Sequence, residues 1–210
     1  DEDTMKQALV SARLANVTLA QHCEVSSMTN GAVMHDGACC SSLGVPGWPS
    51  LAEEQMVQRD IDLVRATGAK MHFLHLSTQG SVQMVREAKA EGLPITAEVT
   101  PHHLSLLDEL LTSFDPIFKV NPPLRTAADI AALKAGVLDG TIDAIATDHA
   151  PHAGHTKEQP LDQAPPGMLG LETALAVVNT SMDLDARKIV ELMSWNPARI
   201  AGLDARHGRA

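Results

Sequence analysis

Apolar positions along this chain follow two alternating rhythms. Met5, Ala8, Leu9 and Ala12 fall at i, i+3, i+4 and i+7 behind Asp3 or Thr4 as candidate caps, one face of a helix. VTLAQH predicts a strand at 17–22. Ser26 to Trp48 is rich in Gly, Ser and Pro, shows no period and reads as a long loop, a kind of segment that is usually functional inside a compact domain. Ser50-Leu-Ala-Glu53 is a capping-box pattern that opens a helix to about Ala66, closed by Gly68. A strand at 70–75 (KMHFLH), a helix from Ser81 to Ala90 closed by Gly92 and a strand at 95–99 (ITAEV) continue the alternation. A helix near 127–137, a strand at 142–147 (IDAIAT) and a Pro-rich loop from 149 to 168 follow, and helices at 170–182 and 185–195 close the pattern.

Strands that alternate with helices imply an α/β fold with a parallel sheet and right-handed crossovers. Four βα units make half of an eight-stranded (β/α)8 TIM-type barrel, here its C-terminal half. A four- or five-stranded doubly wound domain is the competing architecture, but neither GxGxxG nor a P-loop marks a nucleotide site.

Composition sharpens this picture. At 210 residues and 44% hydrophobic content the chain can fill one sizeable core, built from Ala, Val, Leu, Ile and nine Met because aromatics are only 2%. Sixteen basic against 26 acidic residues give a net charge of −10 with no basic run, so nucleic acid is not an expected partner. No stretch approaches the ~18 apolar residues of a membrane span and no leader opens the chain, so a soluble cytoplasmic protein is expected. Cys23, Cys39 and Cys40 form no CxxC, which argues against a disulfide framework and a thiolate zinc site. The chain starts DEDTMKQ without an initiator Met and reads as a piece of something longer.

Three predicted strands end in a group that binds metals: His22, His75 and Asp148. Ligands at the carboxyl ends of several strands are the layout of a barrel active site, although a lone His22 would read as a histidine satisfied in or near the core. Imidazole with carboxylate and no thiolate suits zinc first, and also manganese, cobalt or iron. Asp148 beside a metal-bound water is a candidate general base and acid. His152, four residues on, is a candidate for an anionic substrate group, while His149, His152 and His155 also fit a solvated loop, His155 best of the three. Thr100-Pro-His-His103 fits an orienting role better than direct ligation. Lys119-Val-Asn-Pro-Pro-Leu-Arg125 presents Asn121 to a substrate ring or simply closes a turn.

With these residues assembled, the sequence resembles the dihydroorotases of the amidohydrolase superfamily, in the branch common in bacteria. The motifs are AQHCE (20–24), LGVPGWPSLAEE (43–54), HFLHLST (72–78), AEVTPHHL (97–104), KVNPPLR (119–125), IDAIATDHAPH (142–152) and PPGMLGLETAL (165–175). Their order matches barrel strands five to eight. The resemblance implies a distorted (β/α)8 barrel with two zinc ions and a small β-sandwich domain. It also implies that the N-terminal half-barrel and the sandwich lie outside this chain. His22 and His75 then match ligands of the second metal, Asp148 matches the aspartate that meets the first metal and shuttles the proton, and Asn121 and His152 match substrate contacts. The implied reaction is reversible hydrolysis of L-dihydroorotate to N-carbamoyl-L-aspartate by a metal-activated hydroxide, in de novo pyrimidine biosynthesis. The family's His-x-His, its carboxylate-gripping arginine and its bridging carboxylate fall upstream of Asp1, so this chain holds at most an incomplete metal site. Val25 departs from the acidic or amide residue usual after HCE. A homo-oligomer and association with aspartate transcarbamoylase are also implied. The alternatives are an allantoinase- or hydantoinase-type cyclic amidase and a metal-free subunit that scaffolds the transcarbamoylase.

Overall fold

The structure, a computed structural model, describes residues 1–207. In chain order it forms α1 (Glu2–Ala15), β1 (Leu19–Gln21), α2 (Ser26–Thr29), β2 (Met34–His35), α3 (Ala38–Leu43), β3 (Gly47–Trp48), α4 (Leu51–Thr67) and β4 (Met71–Phe73). Then come α5 (Gln79–Ala90), β5 (Ile95–Val99), 3-10 turns at Asp108–Ser113 and Pro116–Phe118, α6 (Ala127–Asp139), β6 (Ala144–Ile145) and α7 (Gly154–Lys157). The last elements are α8 (Ala174–Ser181), α9 (Ala186–Val190), a π-helical stretch (Glu191–Trp195) and α10 (Asn196–Ile200).

Strands β1, β4, β5 and β6 lie side by side in that order, all parallel, with Leu19 opposite Met71, Met71 opposite Ile95 and Glu98 opposite Ala144. Among the described residues the outer sides of β1 and β6 carry no further strand, so the sheet is open. One phase of each strand faces the helices: Met71, Phe73, Ile95, Ala97 and Val99 join Val57, Ile61 and Val64 of α4 and Val82 and Val85 of α5 in one apolar core. Each fully buried side chain of this set, such as Phe73, contributes roughly 1.5–3 kcal/mol. The opposite phase carries exposed Ala20 together with His72, whose ring bonds Thr96 Oγ1 at 2.8 Å and Glu98 Oε2 at 3.0 Å. The sheet thus has an oily face toward its helices and a small, polar face on the other side.

Several boundaries differ from the sequence expectation, each for a local reason. Asp1, not Asp3 or Thr4, caps α1 by accepting the Thr4 backbone N–H at 2.8 Å. The strands expected at 70–75 and 142–147 stop early because the chain turns through left-handed backbone at His75 (φ 31°) and Asp148 (φ 45°). The capping box expected at Ser50 does not form, because Glu53 turns inward to other partners. A capping box forms instead at Thr126 and Asp129 of α6. The helix expected from 170 begins at Ala174, since His149 Nδ1 accepts the N–H groups of Gly170 and Leu171, both at 3.1 Å. The segment 26–48 is not a featureless loop: β2 and β3 pair in parallel, and Val33, Met34 and Cys40 join Leu111, Val120, Leu124 and Leu161 in a second apolar cluster.

Candidate functional site

His22 directly follows β1, His75 comes two residues after β4 and Asp148 three after β6, so all three stand at the carboxyl edge of the parallel sheet. His22 Nδ1 and His75 Nε2 face each other at 3.0 Å, with the rings edge-on at 75°. Two imidazole nitrogens in this position share either one proton or one cation. His75 is buried, and burial together with the neighbouring His22 holds its ring below the ordinary imidazole pKa. Burial raises the Asp148 carboxyl, an effect opposed by His75 and His22, which places Asp148 within electrostatic reach of both rings. The left-handed backbone at His75 and Asp148 is strain of the kind that persists where a site requires it. Among the described residues no three His, Cys, Asp or Glu side chains close into a complete metal-binding group.

Glu24, two residues after His22, joins this pair to the 119–125 segment. Its Oε2 accepts from His22 Nε2 at 2.9 Å and from Asn121 Nδ2 at 3.3 Å, and its Oε1 accepts from Thr29 Oγ1. Burial alone would raise this carboxyl, but the hydrogen bonds from Thr29, His22 and Asn121 hold it below its ordinary value. Among the described residues Asn121 Oδ1 is buried without a partner. His103 holds the same segment from beneath: its Nε2 donates to the Pro122 carbonyl at 3.0 Å, which leaves Nδ1 to accept from Thr100 Oγ1 at 2.7 Å. The orienting role expected of the His102–His103 pair matches this geometry for His103. His102 packs against it with ring centres 4.6 Å apart and the planes tilted by 47°, and burial, with His75 nearby, pushes its pKa down to about 4.

Two residues that the sequence reading placed in other roles, Arg125 in the Lys119–Arg125 segment and Glu53 in a capping box, support the edge from below. Arg125 donates from Nε to Ser77 Oγ at 3.0 Å and from Nη1 to the Trp48 carbonyl at 2.9 Å and His35 Nδ1 at 3.0 Å. Glu53 accepts the backbone N–H groups of Ser77 at 3.0 Å and Thr78 at 3.2 Å, and the Ser77 hydroxyl as well. The network therefore grips the turn that begins at His75. A signal for Glu53 was present: it lies on the apolar stripe Glu53, Val57, Ile61, Val64 of α4, where an unpaired charge would be costly. Lys119, at the start of the same segment, donates to the Leu161 carbonyl at 2.7 Å.

Among the described residues His152 makes no hydrogen bond to the His22–His75 pair. It is exposed, donates from Nε2 to the Pro166 carbonyl at 2.9 Å and lines a cavity of about 310 Å³ with Leu106, Phe118, Lys157 and Met168. His155 is exposed, and Cys39 and Cys40 are free thiols. A larger cavity of about 570 Å³, lined by Asn16, Thr18, Lys70 and Pro94, sits at the amino ends of the strands, away from the candidate ligands. No described helix is long and apolar enough to cross a membrane.

Comparison with known proteins adds to this geometry. The amidohydrolase family profile matches residues 1–209. The chain is 47% identical to a dihydroorotase of Streptomyces coelicolor over 100% of its own length and 50% of the relative's. It is 50% identical to a dihydroorotase of Mycobacterium leprae over 98% of this chain and 48% of that one. Its fold superposes on an L-hydantoinase of Arthrobacter aurescens with a TM-score of 0.86 at 23% identity, covering 99% of this chain and 48% of that chain. A D-hydantoinase of Thermus sp. gives a TM-score of 0.82, also at 23% identity, with the same 99% and 48% coverage. The chain thus spans about half the length of the curated relatives it matches, and its four βα units are the C-terminal half of a barrel of this kind.

Proposed function

The chain belongs to the amidohydrolase family, and on that premise we propose that it carries the strand-five-to-eight half of a dihydroorotase active site. The reaction is the reversible hydrolysis of L-dihydroorotate to N-carbamoyl-L-aspartate. The observation that carries this reading is the approach of His22 Nδ1 to His75 Nε2 at 3.0 Å on the carboxyl edge of the sheet, backed by the similarity to dihydroorotases over the whole chain.

The donor set fits zinc. Two zinc–nitrogen bonds of about 2.0–2.1 Å at a tetrahedral angle put their nitrogens about 3.4 Å apart, close to the separation of these two rings. His22 and His75 would hold one ion and Asp148 would meet the other, the remaining ligands coming from a first half-barrel accompanied by a small β-sandwich domain. When bound, zinc supplies Lewis-acid polarisation of the amide carbonyl and activation of water at neutral pH. This chain's own groups do the rest. Asp148 takes a proton on its carboxylate, which burial already favours, and returns it to the ring nitrogen that leaves. Asn121 orients the ring. His152 meets the substrate carboxylate, exchanging the Pro166 carbonyl for it. The protein would act in the cytoplasm as a homo-oligomer, with aspartate transcarbamoylase as a candidate partner.

The test uses the full gene product. His22→Ala and His75→Ala should each lose bound zinc, and Asp148→Asn should lower kcat by about 10²–10⁴-fold. Dihydroorotate should be hydrolysed in preference to hydantoin and allantoin. A preference for either of those rings, or unchanged zinc content in both histidine variants, would sink the reading.

A further inference from the structure

We propose that Glu24 is a positioning residue that sets two neighbours at once, the metal-facing nitrogen of His22 and the amide of Asn121. The proposal rests on the reading of His22 as a metal ligand. An ionised carboxylate only accepts hydrogen bonds, so each group that meets Glu24 Oε2 must donate. His22 therefore carries its proton on Nε2, 2.9 Å from Glu24, and its Nδ1 is the lone pair turned toward His75 Nε2. Asn121 must present Nδ2 to the same oxygen, at 3.3 Å. Its Oδ1 is then the acceptor left over, and that atom is buried without a partner among the described residues. Thr29, itself buried, donates to Oε1 and stops the carboxylate from rotating away from these two tasks.

This arrangement also specifies the ligand. A buried acceptor without a donor is costly, so the molecule that completes Asn121 must offer an N–H at that edge. A ring amide or ureide N–H meets the requirement. A ring edge that holds only acceptors does not. Glu24 thus links the tautomer of a metal ligand to the choice of a ring that carries N–H.

The experiment measures zinc affinity, by competition with a chromophoric chelator, and KM for dihydroorotate in the full gene product. Glu24→Gln can keep the three contacts only as a neutral amide, its oxygen accepting from His22 and Asn121 and its NH2 donating to the Thr29 hydroxyl, so it removes the charge that strengthens the bonds from His22 and Asn121. It is expected to weaken Zn²⁺ binding by about 10–100-fold and to raise KM. Asn121→Ala is expected to raise KM at unchanged zinc affinity, a split that general loosening of the fold would not give. If Glu24→Gln yields no folded protein, Thr29→Val frees the carboxylate without removing it and should shift both quantities in the same direction. Unchanged zinc affinity in the Glu24 or Thr29 variant, beside a His22→Ala variant that has lost zinc, overturns the proposal. Unchanged zinc affinity in His22→Ala itself refutes the underlying assignment of that ligand instead.

Discussion

Replacing Arg125 with methionine keeps much of the side-chain volume and removes every hydrogen bond of its guanidinium. Arg125 is 1% exposed and Glu53 is 2% exposed, so neither can turn to water. The variant leaves the Trp48 carbonyl and His35 Nδ1 without the donor they now have, at about 1–3 kcal/mol each if they stay buried. It also strips Glu53 of a buried countercharge, a kind of loss that costs about 3–5 kcal/mol when one partner goes. These effects overlap, and removing the guanidinium also removes its own buried Nη2, which has no partner among the described residues. A net destabilisation of roughly 3 kcal/mol follows. Urea unfolding of the full gene product should show a lower midpoint at unchanged slope. Because Ser77 Oγ lies between Arg125 Nε and Glu53, the double variant with Glu53→Gln should lose less than the sum of the two single losses, by about 1–2 kcal/mol. A single-variant loss below about 1 kcal/mol, or strict additivity, would refute the reasoning that this network is one unit.

Two further outcomes follow from the same contacts. Burial holds His103 neutral well below the ordinary value of 6.5, so below that pH the unfolded chain binds a proton that the folded ring refuses. The stability linked to this ring is therefore complete above about 6.5 and falls by about 1.4 kcal/mol per pH unit as pH drops below it. His103→Gln should lose that share of the pH dependence, and identical slopes for variant and parent between pH 6.5 and 5 in urea titrations would contradict it. At Gly167, φ is 146° and an added Cβ would lie 2.5 Å from His152 Nε2, so Gly167→Ala should break the bond from His152 to Pro166. Its stability should fall by about 1–3 kcal/mol and KM for dihydroorotate should rise at constant zinc affinity; a KM within twofold of the parent would count against a substrate role for His152.

The strand-and-helix alternation was legible because each element has its own period, and β5 lies where ITAEV placed it, at Ile95–Val99. The positions of His22, His75 and Asp148 at strand ends were legible for the same reason: a polar residue that closes an apolar run is visible without tertiary information. Pairing was not. Glu53 fits a capping box locally, but two buried backbone N–H groups at Ser77 and Thr78 need an acceptor more than the exposed start of α4 does. The 26–48 segment has no period because its apolar side chains, such as Met34 and Cys40, pack on Leu111 and Leu124 from far along the chain. The helical pattern expected over 185–195 hid the π-helical stretch at Glu191–Trp195, which at five residues is a single i→i+5 turn, too short to set up a period of its own.

The apolar side chains are divided between two clusters, one between sheet and helices and one among the segments above the carboxyl edge. Substitutions in the second cluster can reshape the segments at the carboxyl edge without reaching the layer that keeps the strands aligned. Descent with modification therefore has two separately adjustable parts to act on. A lineage can repack the segments around Val33, Leu111 and Leu161 while His22 and His75 stay anchored to strands that have not moved.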